Sequence, residues 1–171
     1  MRITPEKMWG VLLVSVGLGV LVLNHSQFAF ARQSHGPCPC IAEEYKSEKA
    51  YPLYKQAALD WRVRKWEDAV AKYHRVIQKH PSSPLAAMSY MGIGLYLKYH
   101  KLYDEAIPEF QKGISMIPQT RDARDAKTSI ACIYTAQGKY DDALDILRQV
   151  LAQAKDWDEV KYCSYWMKEI T

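Results

Sequence analysis

Trp66-Glu67-Asp68-Ala69, Tyr103-Asp104-Glu105-Ala106 and Tyr140-Asp141-Asp142-Ala143 are three versions of one phrase. Each sets an aromatic residue before two acids and an alanine, and four residues past the alanine stands a large apolar side chain: Tyr73, Phe110 or Leu147. The phrases begin 37 residues apart on both occasions. A repeat of this length describes a pair of helices too small to bury its own apolar face, so that neighbouring pairs must stack. Within each phrase the acids suit the positive end of a helix dipole, the aromatic wedges the preceding turn, and the alanine lets two helices approach. The expected fold is all-α: three helical hairpins over about 45–81, 82–118 and 119–155, and a closing helix over 156–170.

The helices can be traced outward from these corners. Tyr51, Tyr54, Ala58 and Trp61 recur at spacings of three and four, with Pro52 in the first turn, where its missing N–H costs little. The partner helix carries Ala69, Val70, Tyr73, Val76 and Ile77 inward and stops before Pro81. Ser83-Pro84 reads as a helix start, serine capping and proline supplying the first helical φ. The helix that follows carries Met88, Met91, Gly94, Leu95 and Tyr99; its partner is expected to be capped by Asp104, to tolerate Pro108 near its start, and to end at Pro118. Asp156 with Glu159 three residues on is close to a capping box, and Trp157, Val160, Cys163, Met167 and Ile170 form one apolar stripe on the closing helix. Covering the exposed end of the array is the expected role of that stripe, with partner binding by Tyr162 and Trp166 as the alternative.

Tyr90-x2-Ile93-Gly94-x2-Leu97, then Ala106-x3-Phe110, then Pro118, resembles the tetratricopeptide repeat pattern of W-x2-L-G-x2-Y, A-x3-F and P. The third pair gives Lys127-x2-Ile130-Ala131-x2-Tyr134 and Ala143-x3-Leu147; the first gives Leu53-x2-Gln56-Ala57-x2-Asp60, Ala69-x3-Tyr73 and Pro81. The period exceeds the family's usual 34 by one helical turn, a length shared with related Sel1-like repeats. The resemblance implies a right-handed α-solenoid whose first helices line a concave, peptide-binding groove. Carried onto this chain, the groove residues are Tyr51, Tyr54, Ala58 and Trp61, then Met88, Met91, Leu95 and Lys98, then Thr128, Cys132 and Thr135. The basic-plus-asparagine clamp that some members use for C-terminal carboxylates is not visible among them.

Residues 1–31 have the three parts of a secretory signal: Arg2 and Lys7, an apolar run from Trp9 to Leu23, and Ala29-Phe30-Ala31, after which cleavage is expected. The alternative is an uncleaved anchor that contacts the membrane through residues 9–31; the 15-residue run is short beside the about 20 that a span needs. Residues 32–44 hold Gly36, Pro37 and Pro39 without a helical period and read as a linker. Both routes place the domain outside the cytoplasm, most simply in a bacterial periplasm, where thiols oxidise. Cys38 and Cys40 with His35 offer a weak soft-metal or redox motif; Cys132 and Cys163 are either a bridge between neighbouring helices or two buried free thiols.

A net charge of +4 with both signs interspersed argues against nucleic acid. The chain has no Gly-rich phosphate loop, nucleophile elbow or metal-spaced histidine pair; His74, His80 and His100 fall near helix ends. Neither an enzyme nor a cofactor is expected. The leading expectation is a protein–protein adaptor or scaffold that binds a partner segment in its groove and assists a larger complex. The alternatives are a redox or metal module built on the Cys38/Cys40 tail and a membrane-anchored structural subunit.

Overall fold

The computed structural model describes residues 45–155 and 157–170; the readings made for residues 1–44, including the signal, the linker, Cys38 and Cys40, lie outside them. Seven helices follow in order among the described residues: α1 (Tyr51–Arg62), α2 (Trp66–Lys79), α3 (Pro84–Tyr99), α4 (Tyr103–Met116), α5 (Arg121–Ala136), α6 (Tyr140–Gln153) and α7 (Trp157–Ile170). They pair as hairpins α1–α2, α3–α4 and α5–α6; each second helix packs on the next hairpin, and α7 lies on α6. None is long and apolar enough to cross a membrane.

Local chemistry sets the boundaries. The Ser83 hydroxyl accepts the Leu85 N–H at 3.2 Å, and Thr120 accepts that of Ala123 at 3.2 Å, so two first helices are capped by side chains. Asp104 does not cap. The fourth helix begins one residue earlier, at Tyr103, with Leu102 at the N-cap and no side-chain bond there. Asp104 and Glu105 therefore act through the helix dipole, as do the acid pairs of α2 and α6. Pro108 sits inside α4, which runs unbroken to Met116.

The three corners share one backbone. Arg64, Lys101 and Gly138 stand 37 residues apart, all with positive φ: 63°, 60° and 74°. At each, the residue's N–H reaches a carbonyl three back (Trp61, Lys98, Thr135), and the next N–H reaches five back (Asp60, Leu97, Tyr134) at 2.9 Å. These six-to-one bonds close a Schellman-type helix end that glycine fits without strain. Only the third corner uses glycine.

Burial follows the repeat. Ala69, Ala106 and Ala143 are wholly enclosed, as are Tyr73, Phe110 and Leu147 to within 1 %. A side chain at Gly94 would put its Cβ 3.0 Å from the Phe110 ring, which is why this position of the pattern must be small. The core divides into three clusters, one at each joint of the array. The corner aromatics differ, however. Trp66 and Tyr103 are half-buried, whereas Tyr140 is 52 % exposed and wedges nothing. Trp66 is covered by Tyr99 and His100 at the end of the next hairpin's first helix, and Tyr140 has no such cover among the described residues.

Candidate protein-interaction surface

First helices of successive hairpins lie side by side, α1 beside α3 and α3 beside α5. Side chains pointing into those seams are consumed by packing. Tyr54 is 0 % exposed, Thr128 3 %, Met91 7 % and Met88 8 %; Ala58 is enclosed as well. These five, expected from sequence to line the groove, pack against neighbouring helices and keep little surface. Burial also raises the Tyr54 and Tyr73 phenols far above the ordinary tyrosine range, so both stay neutral. Tyr51, Trp61, Leu95, Lys98, Cys132 and Thr135 keep exposed surface. The accessible groove is thus shallower than the repeat pattern implied.

Its most distinctive feature lies at one end. The rings of Trp61, Trp66 and Tyr99 form a near-equilateral triangle, with centroids 6.5 Å apart (Trp61–Trp66), 6.3 Å (Trp61–Tyr99) and 6.4 Å (Trp66–Tyr99). His100 stands edge-on to Trp66 at 6.5 Å, and Tyr96 backs His100 at 4.4 Å. The sequence pattern places Trp61 in the groove and Trp66 in the corner and marks no contact role for Tyr96, Tyr99 or His100. A signal was available, because residue 99 is one 37-residue period beyond Arg62 and so must end α3 alongside the end of α1.

Four of the six most exposed large hydrophobic residues gather at these two corners: Leu59 (44 %), Val63 (64 %), Tyr99 (46 %) and Leu102 (44 %). Arg62, Arg64, Lys65 and Lys101 are exposed around them, and Lys98 is half-buried. Asp60, the nearest acid on α1, is paired with Lys72 of α2.

The opposite end of the array is closed by polar groups. Arg124 of α5 and Glu159 of α7, 5 % and 6 % exposed, form a two-pronged pair at 2.8 and 2.9 Å. The second Glu159 oxygen accepts the Lys155 N–H at 2.9 Å, one residue before the N–H that a capping box would use; the box itself turns on Asp156, outside the described residues. Burying Glu159 rotates α7. Residues two apart lie about 200° round a helix, so Trp157 turns outward to 67 % exposure instead of heading the apolar stripe. Trp166, Met167 and Ile170 pack with Leu147 and Cys163, which makes Trp166 a packing residue of the closing helix.

Cys132 and Cys163 are free thiols. The Arg124–Glu159 pair sets the register: one turn on, Thr128 stands opposite Cys163, and Cys132 falls a further turn along. Burial, with Glu159 nearby, pushes the Cys163 thiol up to about 11; burial also raises Cys132, against the pull of Lys98. Neither is an activated nucleophile. Among the described residues no three His, Cys, Asp or Glu side chains converge as metal ligands. His74 and His100 are exposed and His80 half-buried.

Comparison with known proteins agrees with this geometry. Two tetratricopeptide repeat family models match, one over residues 54–120 and one over 128–159. No curated protein matches. Among solved structures, the Yersinia enterocolitica type III secretion translocator chaperone SycD superposes with a TM-score of 0.61 at 19 % identity, covering 74 % of this chain and 95 % of that one. SycD in complex with a peptide of the translocator YopD gives 0.60 at 19 %, covering 74 % and 92 %. The N-terminal domain of stress-induced protein-1 from C. elegans gives 0.56 at 18 %, covering 71 % and 93 %. At these identities the solved structures speak to the fold, and with the repeat phrases and the family models they lead to one conclusion: the chain belongs to the tetratricopeptide repeat family.

Proposed function

We propose that this protein is a non-catalytic adaptor that holds a segment of a partner protein along its first helices and so helps to assemble or retain a larger complex outside the cytoplasm. One observation carries the reading: on a face whose mid-helix positions are sealed by packing, Trp61, Leu95, Lys98 and Thr135 stay half-buried and keep accessible surface on three adjacent helices. Side chains that differ between repeats on an otherwise repetitive scaffold are where a repeat array carries specificity. The SycD structure containing a YopD peptide supports a peptide-sized ligand for this fold. The charged, apolar and small-residue segments of 1–31 support export to an envelope compartment.

The test is photo-crosslinking in cells producing the full chain, with the crosslinker placed at Leu95 on α3 or at exposed Gln111 on α4. A discrete protein adduct in the envelope fraction from position 95, and none from 111, is the expected result. Equal labelling from both positions, or none from 95, overturns the proposal.

A further inference from the structure

The corner patch has a chemistry of its own. Trp61, Trp66 and Tyr99 present three rings at 6.3–6.5 Å spacings, with Val63 and Leu102 exposed beside them. Five bases, Arg62, Arg64, Lys65, Lys98 and Lys101, lie within the same two chain segments, 61–66 and 98–103, which contain no acid. Among the described residues none of the five pairs with a carboxylate of the chain. Nor do they lie over Trp61 or Trp66, although lysines elsewhere cover Tyr51, Tyr90, Tyr134 and Trp157. Two of the bases are also held at a cost. Arg64 and Lys101 have left-handed φ at positions where the third corner uses glycine, and strain of this kind concentrates where a side chain is needed.

We propose that this patch takes an acidic segment of a partner protein that carries an aromatic or aliphatic side chain, the apolar group lying on the Trp61–Tyr99 rings and the carboxylates pairing with Arg62, Arg64, Lys98 and Lys101. The proposal rests on the adaptor reading and names the partner's chemistry. Charge complementarity decides the occupant. Aromatic and basic residues together also suit an anionic membrane, but a bilayer meets the whole corner end of the array as a plane. There, the six bases at the three corners, including Lys139, face six acids in the first turns of α2, α4 and α6. A plane sees no net charge; a single peptide strand can follow the basic strip and avoid the acids.

The experiment selects a phage-displayed random dodecapeptide library on the full-length protein and measures the recovered peptides by fluorescence anisotropy. Peptides rich in Asp and Glu around one aromatic or leucine are expected. Tyr99→Ala should weaken them at least tenfold. Lys98→Glu, at a half-buried position, with Lys101→Glu, at an exposed one, the pair checked for fold by circular dichroism, should do the same and remove the salt dependence. No acidic enrichment, no selected peptide, affinity unchanged by these substitutions, or patch-dependent binding to phosphatidylglycerol vesicles instead would each overturn the proposal. If the adduct from Leu95 persists in the same variants, the adaptor reading survives that failure; if it is absent from the unmodified protein, the broader reading fails by itself.

Discussion

The joint between the first and second hairpins and the joint between the third hairpin and α7 perform the same mechanical task with opposite materials. The first is closed by rings: Tyr99 of the second hairpin meets Trp61 and Trp66 of the first at the surface, and inside, the Tyr73 ring, which packs on Tyr54 at 5.6 Å, faces Gly92 of the second hairpin. The last adds to its apolar cluster a buried ion pair, Arg124–Glu159, with the Thr128 hydroxyl donating to the Arg124 carbonyl and the Cys163 thiol nearby. Burial of apolar surface is non-directional and sets helix register less tightly than a paired charge does. A desolvated ion pair fixes register, and α7, which packs on α6 and has no following helix among the described residues, takes its register from that pair. The difference indicates that the early joint was free to acquire exposed surface chemistry, while the late joint is committed to holding α7 in place.

The largest predicted effect tests that commitment. Glu159→Ala leaves the Arg124 guanidinium buried without its carboxylate and should cost about 3–5 kcal/mol, the usual result of breaking one side of a buried pair. Hydrogen exchange should show α7 losing protection ahead of α5 and α6. The double change Arg124→Met with Glu159→Leu should recover most of the loss, because the penalty is the orphaned charge. At the other joint Tyr99→Ala should cost only about 1 kcal/mol, the worth of a half-exposed aromatic contact. Equal losses in urea unfolding would erase the distinction.

A smaller effect separates the first joint from the one between the second and third hairpins by size. A Cβ at Gly92 would stand 2.8 Å from the Tyr73 ring, so Gly92→Ala should destabilise by about 1–2 kcal/mol net, the overpacking cost less the helix propensity gained. One period on, half-buried Ser129 already carries a side chain at the equivalent place. Ser129→Ala should therefore stay within about 0.5 kcal/mol of the parent by chemical denaturation. A stabilised Gly92→Ala would mean that the ring moves aside freely and that the early joint is looser than its packing indicates.

These contrasts explain what the sequence could and could not reveal. The 37-residue phrase exposed the hairpins because it reports a local requirement, a small residue where two helices cross, that each repeat must meet alone. Which inward-pointing residues remain accessible depends on how closely α1, α3 and α5 approach, a tertiary quantity with no local sequence signature. Tyr54 and Thr128 were accordingly read as contacts although both are buried. Trp157 was misplaced for a related reason: hydrophobic periodicity put it inward, but the buried Arg124–Glu159 pair, 35 residues apart in the chain, set the rotation of α7. Tyr99 could have been found by carrying the period through every position rather than only the matching ones.

The smallest predicted effect is the most specific to the corners. Arg64, Lys101 and Gly138 share a left-handed backbone and the same hydrogen bonds, so they differ only in the side chain attached. Such a conformation costs a residue with a Cβ about 1 kcal/mol relative to glycine, part of which glycine returns through its freer unfolded chain. Arg64→Gly and Lys101→Gly should each stabilise the protein by about 0.5–1 kcal/mol and raise the thermal midpoint by a few degrees. Gly138→Lys should lose a similar amount, purely through φ, because an added Cβ there meets nothing within 4 Å. Acidic peptides selected on the native protein should bind the two stabilised variants several-fold more weakly. Stability rising while binding falls would show that the first two corners keep their bases for the partner and that the third, where Tyr140 stacks on no second ring among the described residues, keeps the residue the backbone prefers. A gain in stability with binding unchanged would leave the strain real and its purpose elsewhere.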